Sequence, residues 1–241
     1  MKICVISDLH YKFSPRNSAE IEQNKHALAF LKTLPGEYDR LILNGDIFDL
    51  WFDWKYTIIK AYFPVLKVLA DIAEMGCRIA YISGNHDFWF NDFLPSQLKI
   101  DLYPEAFSLE ADDKKICFTH GDSHTSNDAR YKFLRAVIRL PITKRLFSWL
   151  HPDLALALGK YFSRSSRARR ISHNLQQKKM LGLEKYAATL MKDYDYVIMG
   201  HTHAPCVVPI GKGIYANSGD WLENNSYITI IDGKLELRTF N

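Results

Sequence analysis

Arg78-Ile79-Ala80-Tyr81-Ile82-Ser83-Gly84-Asn85-His86-Asp87 decides the fold of this chain. Its first half is a short apolar run that begins just after Gly76, and it reads as a buried strand. At the carboxyl end of that strand come a glycine, an amide, an imidazole and a carboxylate. Working outward, the pattern repeats. Lys2 to Ser7 is an apolar run ending at Asp8-Leu9-His10, and Leu41-Ile42-Leu43 leads into Gly45-Asp46. Lys115 to Thr119 ends at His120-Gly121-Asp122, and Tyr194 to Met199 ends at Gly200-His201-Thr202-His203. Residues 18–34 and 57–75 have apolar positions spaced by three and four, which predicts helices, the second stopped by Gly76. Strand and helix alternate, so the class is α/β, and in such sheets sites form beyond the carboxyl ends of the strands. The stretches 206–215, 226–231 and 234–240 read as antiparallel strands, with a hairpin turn at Asp232-Gly233.

The residue types at these ends point to metal chemistry. Asp8 and Asp46 supply carboxylates, Asn85 an amide oxygen, and His10, His120, His201 and His203 imidazoles, with His86 left over. In extended chain, residues two apart point the same way, so Asp8 with His10, and His201 with His203, can each converge on one ion. Gly45 allows a tight turn that aims Asp46 over the sheet edge, where a carboxylate can bridge two cations. Any one of these motifs is ordinary; Gly-Asn-His-Asp alone can be a turn. Five in order, each at a strand end, fit two divalent cations that clamp the attacking and leaving oxygens of an in-line displacement at phosphorus. Mixed N and O ligation suits Mn, Fe, Zn, Co or Ni better than Ca. His86 is then free to donate a proton to the leaving oxygen, with Asp87 expected to orient it. Asp49 is expected either to bond a ligand imidazole from behind or to stand at a helix N-terminus. There is no GxxxxGK[ST], GxSxG or GxGxxG motif, so NTPase, serine hydrolase and dehydrogenase readings have no support.

The bulk numbers bound the rest. A chain of 241 residues with 47% hydrophobic and 24% charged content is an ordinary globular protein of one domain with an elaboration. Nothing is apolar for long enough to span a membrane, and the N-terminus reads as a first strand rather than a leader. Cys4, Cys77, Cys117 and Cys206 lie far apart in or beside apolar runs, as expected of reduced thiols in the cytoplasm. The net charge of +4 hides an asymmetry, because residues 130–185 hold 14 Lys/Arg against 2 Asp/Glu. The surrounding segment, 125–190, lacks strand signals and shows apolar residues at helical spacing. It predicts a helical insert or cap over 125–189, with the core at 1–124 and 190–241. So basic a segment should meet something anionic.

At this point the chain resembles the calcineurin-like metallophosphoesterases, whose D-x-H, GD, GNH[DE], H-G-D and G-H-x-H blocks it matches in order. The resemblance implies a four-layer αββα sandwich. It implies one cation on Asp8, His10, Asp46 and His203, a second on Asp46, Asn85, His120 and His201, and His86 as catalytic histidine. A narrower resemblance is to the UDP-2,3-diacylglucosamine hydrolases of lipid A biosynthesis, which cleave a pyrophosphate to UMP and 2,3-diacylglucosamine 1-phosphate. It rests on Gly45-Asp46-Ile47-Phe48-Asp49-Leu50-Trp51, Asp87-Phe88-Trp89, Asn127-Asp128-Ala129-Arg130-Tyr131, Phe147-Ser148-Trp149-Leu150-His151-Pro152 and Ser163-Arg164-Ser165-Ser166-Arg167. It implies substrate contacts by Asn85, His86, Asp128, Tyr131, Arg164, Ser166 and Arg167. One position departs: well-known members carry arginine where this chain has His86. That leaves the metal chemistry unchanged and makes the substrate the point to test.

The insert suits such a substrate by composition. Phe133, Val137, Phe147, Trp149, Leu154 and Leu158 offer an apolar slot for acyl chains. Arg130, Arg135, Arg164, Arg167, Arg169 and Arg170 offer guanidinium partners for phosphate. A basic amphipathic surface would also hold the enzyme peripherally on the anionic inner face of the cytoplasmic membrane. Three other readings compete: a phosphodiesterase or phosphatase for a soluble phosphoester such as a nucleotide, a nuclease, and a non-catalytic scaffold. Nucleic acid is not expected, because the insert's aromatics follow helical spacing rather than forming an exposed stacking platform.

Overall fold

The computed structural model describes residues 1–125, 129–168 and 173–241, without the side chains of 129, 130, 162–168 and 173. The apolar runs become two sheets. Strands β1 (Lys2–Ile6), β2 (Arg40–Asn44), β3 (Arg78–Ile82) and β4 (Asp101–Tyr103) lie parallel in the order given. Two strands from the tail, β10 (Ser226–Ile231) and β11 (Lys234–Thr239), extend this sheet antiparallel from the free side of β1, giving six strands. The second sheet has five strands, in the order β5 (Ala106–Ala111), β6 (Lys114–Thr119), β7 (Tyr196–Met199), β9 (Gly213–Asn217) and β8 (Cys206–Ile210).

Alternation along each strand sorts the residues into layers. Ile3 and Val5 of β1, Ile42 of β2 and Ile82 of β3 point to one side. There they meet Ile116 and Phe118 of β6 and Ile198 of β7 in a core between the sheets. Cys4, Ile6, Leu41, Leu43, Ile79 and Tyr81 point to the other side and pack under helices α1 (Ser18–Leu31), α2 (Phe63–Glu74) and α3 (Phe93–Leu98). Cys117, Val197, Met199 and Tyr215 face outward from the second sheet onto Leu183 and Ala187 of α7 (His173–Leu190). Helix, sheet, sheet and helix make the four-layer sandwich. Burial on both faces explains why the strands read as continuous apolar runs.

Some elements differ from expectation. The predicted helix 57–75 begins only at residue 60, with a single 3₁₀ turn Lys60–Tyr62 ahead of α2. The stretch 206–215 is two strands, not one: β8 and β9 form a hairpin, and β9 runs parallel to β7. Short strands β4 and β5 carry no strong sequence signal. Between β6 and β7 lie α4 (Ala129–Ile138), α5 (Pro141–Ser148), α6 (Pro152–Ala168) and α7. These helices divide. Helix α7 is the outer layer of the second sheet, whereas α5 and α6 dock on the first sheet's helical side. Phe147 inserts its ring 4.9 Å from that of Phe52 and 4.7 Å from that of Trp89, and Ala155 is fully buried.

Candidate functional site

Strands β1, β2 and β3 are parallel to one another, as are β6 and β7, so the five motif loops leave the carboxyl edges of two facing sheets. Buried Asn44 ties those edges together by donating from Nδ2 to Thr119 O at 3.1 Å. Past the sheet, the loops after β1 and β2 stay paired, with Asp8 N on Gly45 O at 3.0 Å and His10 N on Asp46 O at 2.9 Å. This rung is built from unusual backbone. Asp8, His10, Asp46, His201 and His203 have φ of 51°, 45°, 55°, 66° and 57°, in the left-handed region that non-glycine residues seldom occupy. Gly45, at φ 86°, lies so close to His120 that a Cβ would meet its Nδ1 at 2.4 Å. At Gly84 a Cβ would meet Asp46 Oδ1 at 2.1 Å. The glycines of the GD and GNHD motifs are therefore needed for close approach.

The structure brings all seven expected ligands together in two adjoining groups. Asp8, His10 and His203 form one. His203 Nε2 is 3.2 Å from Asp8 Oδ1 and 3.4 Å from His10 Nε2. Asp46, His120 and His201 form the other. Asn85 joins it, its Oδ1 lying 2.8 Å from His201 Nδ1 and 3.3 Å from His120 Nε2. Asp46 Oδ2 stands between them, 3.8 Å from His10 Nε2 and 3.5 Å from His120 Nε2.

The donor set fits two cations on structural grounds. Ligand atoms about 2.0–2.2 Å from a common ion lie roughly 3–3.5 Å from each other, and the pairs here span 2.8 to 3.8 Å around that range. Asp8 Oδ1 is buried and faces His203 Nε2 at 3.2 Å and His10 Nε2 at 3.8 Å, while Asp8 Oδ2 accepts from His201 N at 2.8 Å and Ser7 Oγ at 2.6 Å. Two tautomers are fixed from behind. His120 Nδ1 donates to Asn44 O at 2.9 Å and His203 Nδ1 to Asp220 Oδ2 at 3.0 Å, so each turns Nε2 inward. Asp46 Oδ1 accepts from His86 N at 2.8 Å, which leaves Oδ2 for the shared position.

Electrostatics follow the same geometry. Burial alone would raise the Asp46 carboxyl, but His120, His86 and His10 hold it well below the carboxylate range. Burial opposes protonation of His120, yet Asp46 and Asp8 push it up to about 10; Asp8 and Asp220 do the same to His203, also to about 10. His201 is pushed down to about 4 by burial and by the charge of His120. Without cations, then, the carboxylates keep protons on two of the ligand imidazoles.

Asp87 has partners other than the one expected, and Asp49 adds a contact through its backbone. Asp87 does not bond the His86 ring; its buried carboxylate accepts from the backbone N–H groups of Asp46, Phe48 and Gly84 and from Tyr81 Oη. It therefore holds the Asp46 loop, and burial with the nearby Asp46 charge pushes its carboxyl up to about 7. His86 is oriented by Asp49, whose backbone carbonyl accepts from His86 Nδ1 at 3.1 Å. No helix starts at Asp49; the residue is buried in a loop with its carboxylate near His10 and His86. The His86 ring stands edge-on to that of His10, centroids 4.9 Å apart. Sequence reasoning missed Asp220. Its signal, Gly219-Asp220 just past the end of β9, is the same strand-glycine-aspartate pattern as Gly45-Asp46.

Of the expected substrate contacts, Tyr131 lies at the rim, its Oη donating to Asp122 Oδ2 at 3.0 Å and its ring 6.4 Å from that of His201. Asp128, and the side chains of Arg164, Ser166 and Arg167, lie outside the described residues, as do those of Arg130, Arg169 and Arg170. Arg135 is not a free cation; its Nε donates to Asp122 at 2.6 Å and its Nη2 to Glu105 at 3.2 Å. Phe147 is packed against the core. Phe133 and Trp149, however, are each 72% exposed, so the insert's aromatics are not folded away and their spacing no longer argues against a bound partner.

With this geometry the chain meets a known class. The calcineurin-like phosphoesterase family matches residues 1–205, and the chain belongs to it. It is a metal-dependent hydrolase of phosphoric esters or pyrophosphates. Its relatives include the UDP-2,3-diacylglucosamine hydrolase of Bordetella parapertussis, 33% identical over 83% of this chain and 76% of that protein. Proteins of the same name from Porphyromonas gingivalis and Psychromonas ingrahamii are 24% and 26% identical, covering 94% and 98% of this chain and 92% and 96% of theirs. In fold it is similar to an archaeal phosphodiesterase, with a TM-score of 0.50 at 15% identity over the whole of both chains.

Proposed function

We propose that the protein cleaves the pyrophosphate of UDP-2,3-diacylglucosamine to UMP and 2,3-diacylglucosamine 1-phosphate. The observation that carries this reading is the outward surface of the helices beside the site. Helix α4 leaves Phe133, Leu134 and Val137 exposed, α5 leaves Ile142 and Leu146, and α6 leaves Leu154, Leu158 and Tyr161. Soluble proteins seldom leave successive helices with open apolar stripes unless something apolar covers them. Acyl chains and a bilayer surface are such covers, and the basic composition of the same segment suits an anionic one. The names of its relatives point to the same substrate. On this reading the protein works peripherally at the cytoplasmic face of the membrane, and no described helix is long and apolar enough to cross it.

The working parts are assigned as follows. Asp8, His10, Asp46 and His203 hold one divalent cation, and Asp46, Asn85, His120 and His201 the other, Mn²⁺ being the ion proposed. When bound, the two ions supply the positive charge that clamps the phosphate oxygens and makes water a nucleophile at neutral pH. Asp46 Oδ2 holds both positions in register. His86, oriented through Nδ1, donates from Nε2 to the oxygen that leaves, and Asp87 keeps the Asp46 loop in place. Asn85, His86, Asp128, Tyr131, Arg164, Ser166 and Arg167 contact the nucleotide-sugar lipid.

The test is UMP release from UDP-2,3-diacylglucosamine with Mn²⁺ and detergent, beside a generic aryl phosphodiester. Fast UMP release with little aryl ester turnover supports the proposal. Turnover of the aryl ester alone overturns the substrate and keeps the hydrolase.

A further inference from the structure

The two cation groups are supported from different places. Asp8 and His203 lean on strand-end loops, through Ser7, the His201 N–H and Asp220. The loops that carry Asn85 and His120 are gripped by a helix outside the sheets. Tyr131 Oη and Arg135 Nε of α4 both donate to Asp122 Oδ2, at 3.0 and 2.6 Å, two residues past His120. Just beyond the end of α4, Arg139 Nη2 donates to Gly84 O at 2.7 Å, the carbonyl that precedes Asn85. Arg139 is steadied in turn, its guanidinium 5.0 Å over the Phe88 ring and its Nη1 3.3 Å from Pro104 O. Positions 131, 135 and 139 recur every four residues, so one stripe makes all three contacts. Helix α7 also reaches a motif loop, Gln176 Nε2 donating to Thr202 O at 2.5 Å. Thr202, though, lies between one ligand of each group and favours neither.

We infer that α4 is a strut for one of the two cations: Arg135 and Arg139 are positioning residues whose grip on the His120 and Asn85 loops sets the affinity of the Asp46, Asn85, His120 and His201 group. The inference rests on the two-cation reading above. Asn85 is a neutral ligand, so this group draws more on placement than on charge, and a loop free to relax loses affinity. Charged hydrogen bonds to a buried carboxylate and to a backbone carbonyl are strong fixings, and arginine's planar fork makes them directional. Linkage is reciprocal: if docking of α4 favours this cation, the cation favours docking of α4.

The experiment is Mn²⁺ titration of the metal-free protein by calorimetry, for the wild type and for Arg135→Ala and Arg139→Ala. The wild type is expected to bind two ions. Each variant is expected to keep one at wild-type affinity and to bind the other about 10–100-fold more weakly, as loss of a group behind a metal ligand does. The retained ion shows that the variant is folded. The weakened ion should be the one that His120→Ala also loses. Hydrogen exchange on the wild type needs no variant: amides of α4 should slow as the ion that His120→Ala loses is taken up. Equal weakening of both ions, unchanged binding in both variants, or α4 exchange indifferent to that ion would each overturn the inference. A wild type that binds fewer than two ions would instead bring down the two-cation reading itself.

Discussion

Gly84 in the strand-end site and Gly159 in α6 look alike on paper and differ in kind. A Cβ at Gly84 would meet Asp46 Oδ1 at 2.1 Å and Asp46 N at 2.4 Å. A Cβ at Gly159 would meet Leu50 Cδ2 at 2.3 Å, the far end of a flexible side chain. In the site, backbone presses on backbone and on ligand side chains that hydrogen bonds hold in place, whereas the helices beside it dock through side chains that can repack. Chemistry that needs fixed distances is on the first kind of construction; recognition of a large, pliable substrate suits the second.

That contrast can be tested at four levels. The largest effect should come from the shared carboxylate. Asp46→Ala, or His120→Ala, is expected to cut turnover by about 10³-fold or more, because losing a cation forfeits several kcal/mol of transition-state stabilisation. Substantial turnover by metal-replete Asp46→Ala would end the two-cation account. Next, Gly84→Ala should destabilise by about 1–3 kcal/mol in denaturant melts and abolish activity, while Gly159→Ala should fall at or below the bottom of that range and stay active. Equal losses would erase the distinction between the two regions. Third, Trp149→Ser should raise KM for the lipid substrate by about tenfold, the scale of burying a large apolar side chain, and leave aryl ester turnover alone. The smallest effect concerns protons. His120 and His203 are pushed up to about 10 by Asp46, Asp8 and Asp220, so at neutral pH the metal-free protein holds a proton on each. Binding cations must release them, so metal affinity should fall as pH drops below about 10. Loading in weak buffer should acidify the solution; no acidification would contradict those charge states.

The same contrast explains what could be read from the sequence. The strand ends were legible because local pattern determines them: a buried strand, then a ligand, five times over, with a glycine between the two at Asp46, Asn85 and His201. The division of those strands into two facing sheets was not readable from periodicity and came only with the family resemblance, since burial on both faces makes all of them look alike. The role of Asp87 was hidden because two of its partners are backbone groups of a loop some forty residues away. Arg135 read as part of a substrate cradle and Arg139 carried no assignment, for nothing in helical spacing says that Asp122 and Gly84 O will lie opposite them. Phe147 and Trp149, two residues apart, show the limit plainly: one is packed on Phe52 and the other is 72% exposed.

The left-handed backbone at Asp8, His10, Asp46, His201 and His203 sets stability against activity. Such conformations cost about 1–3 kcal/mol each, although Asp and His tolerate them better than most residues. Glycine would adopt the same angles without that penalty. A selection for heat resistance alone, run without added metal, should therefore favour glycine at these positions and yield sturdier proteins that no longer turn over substrate.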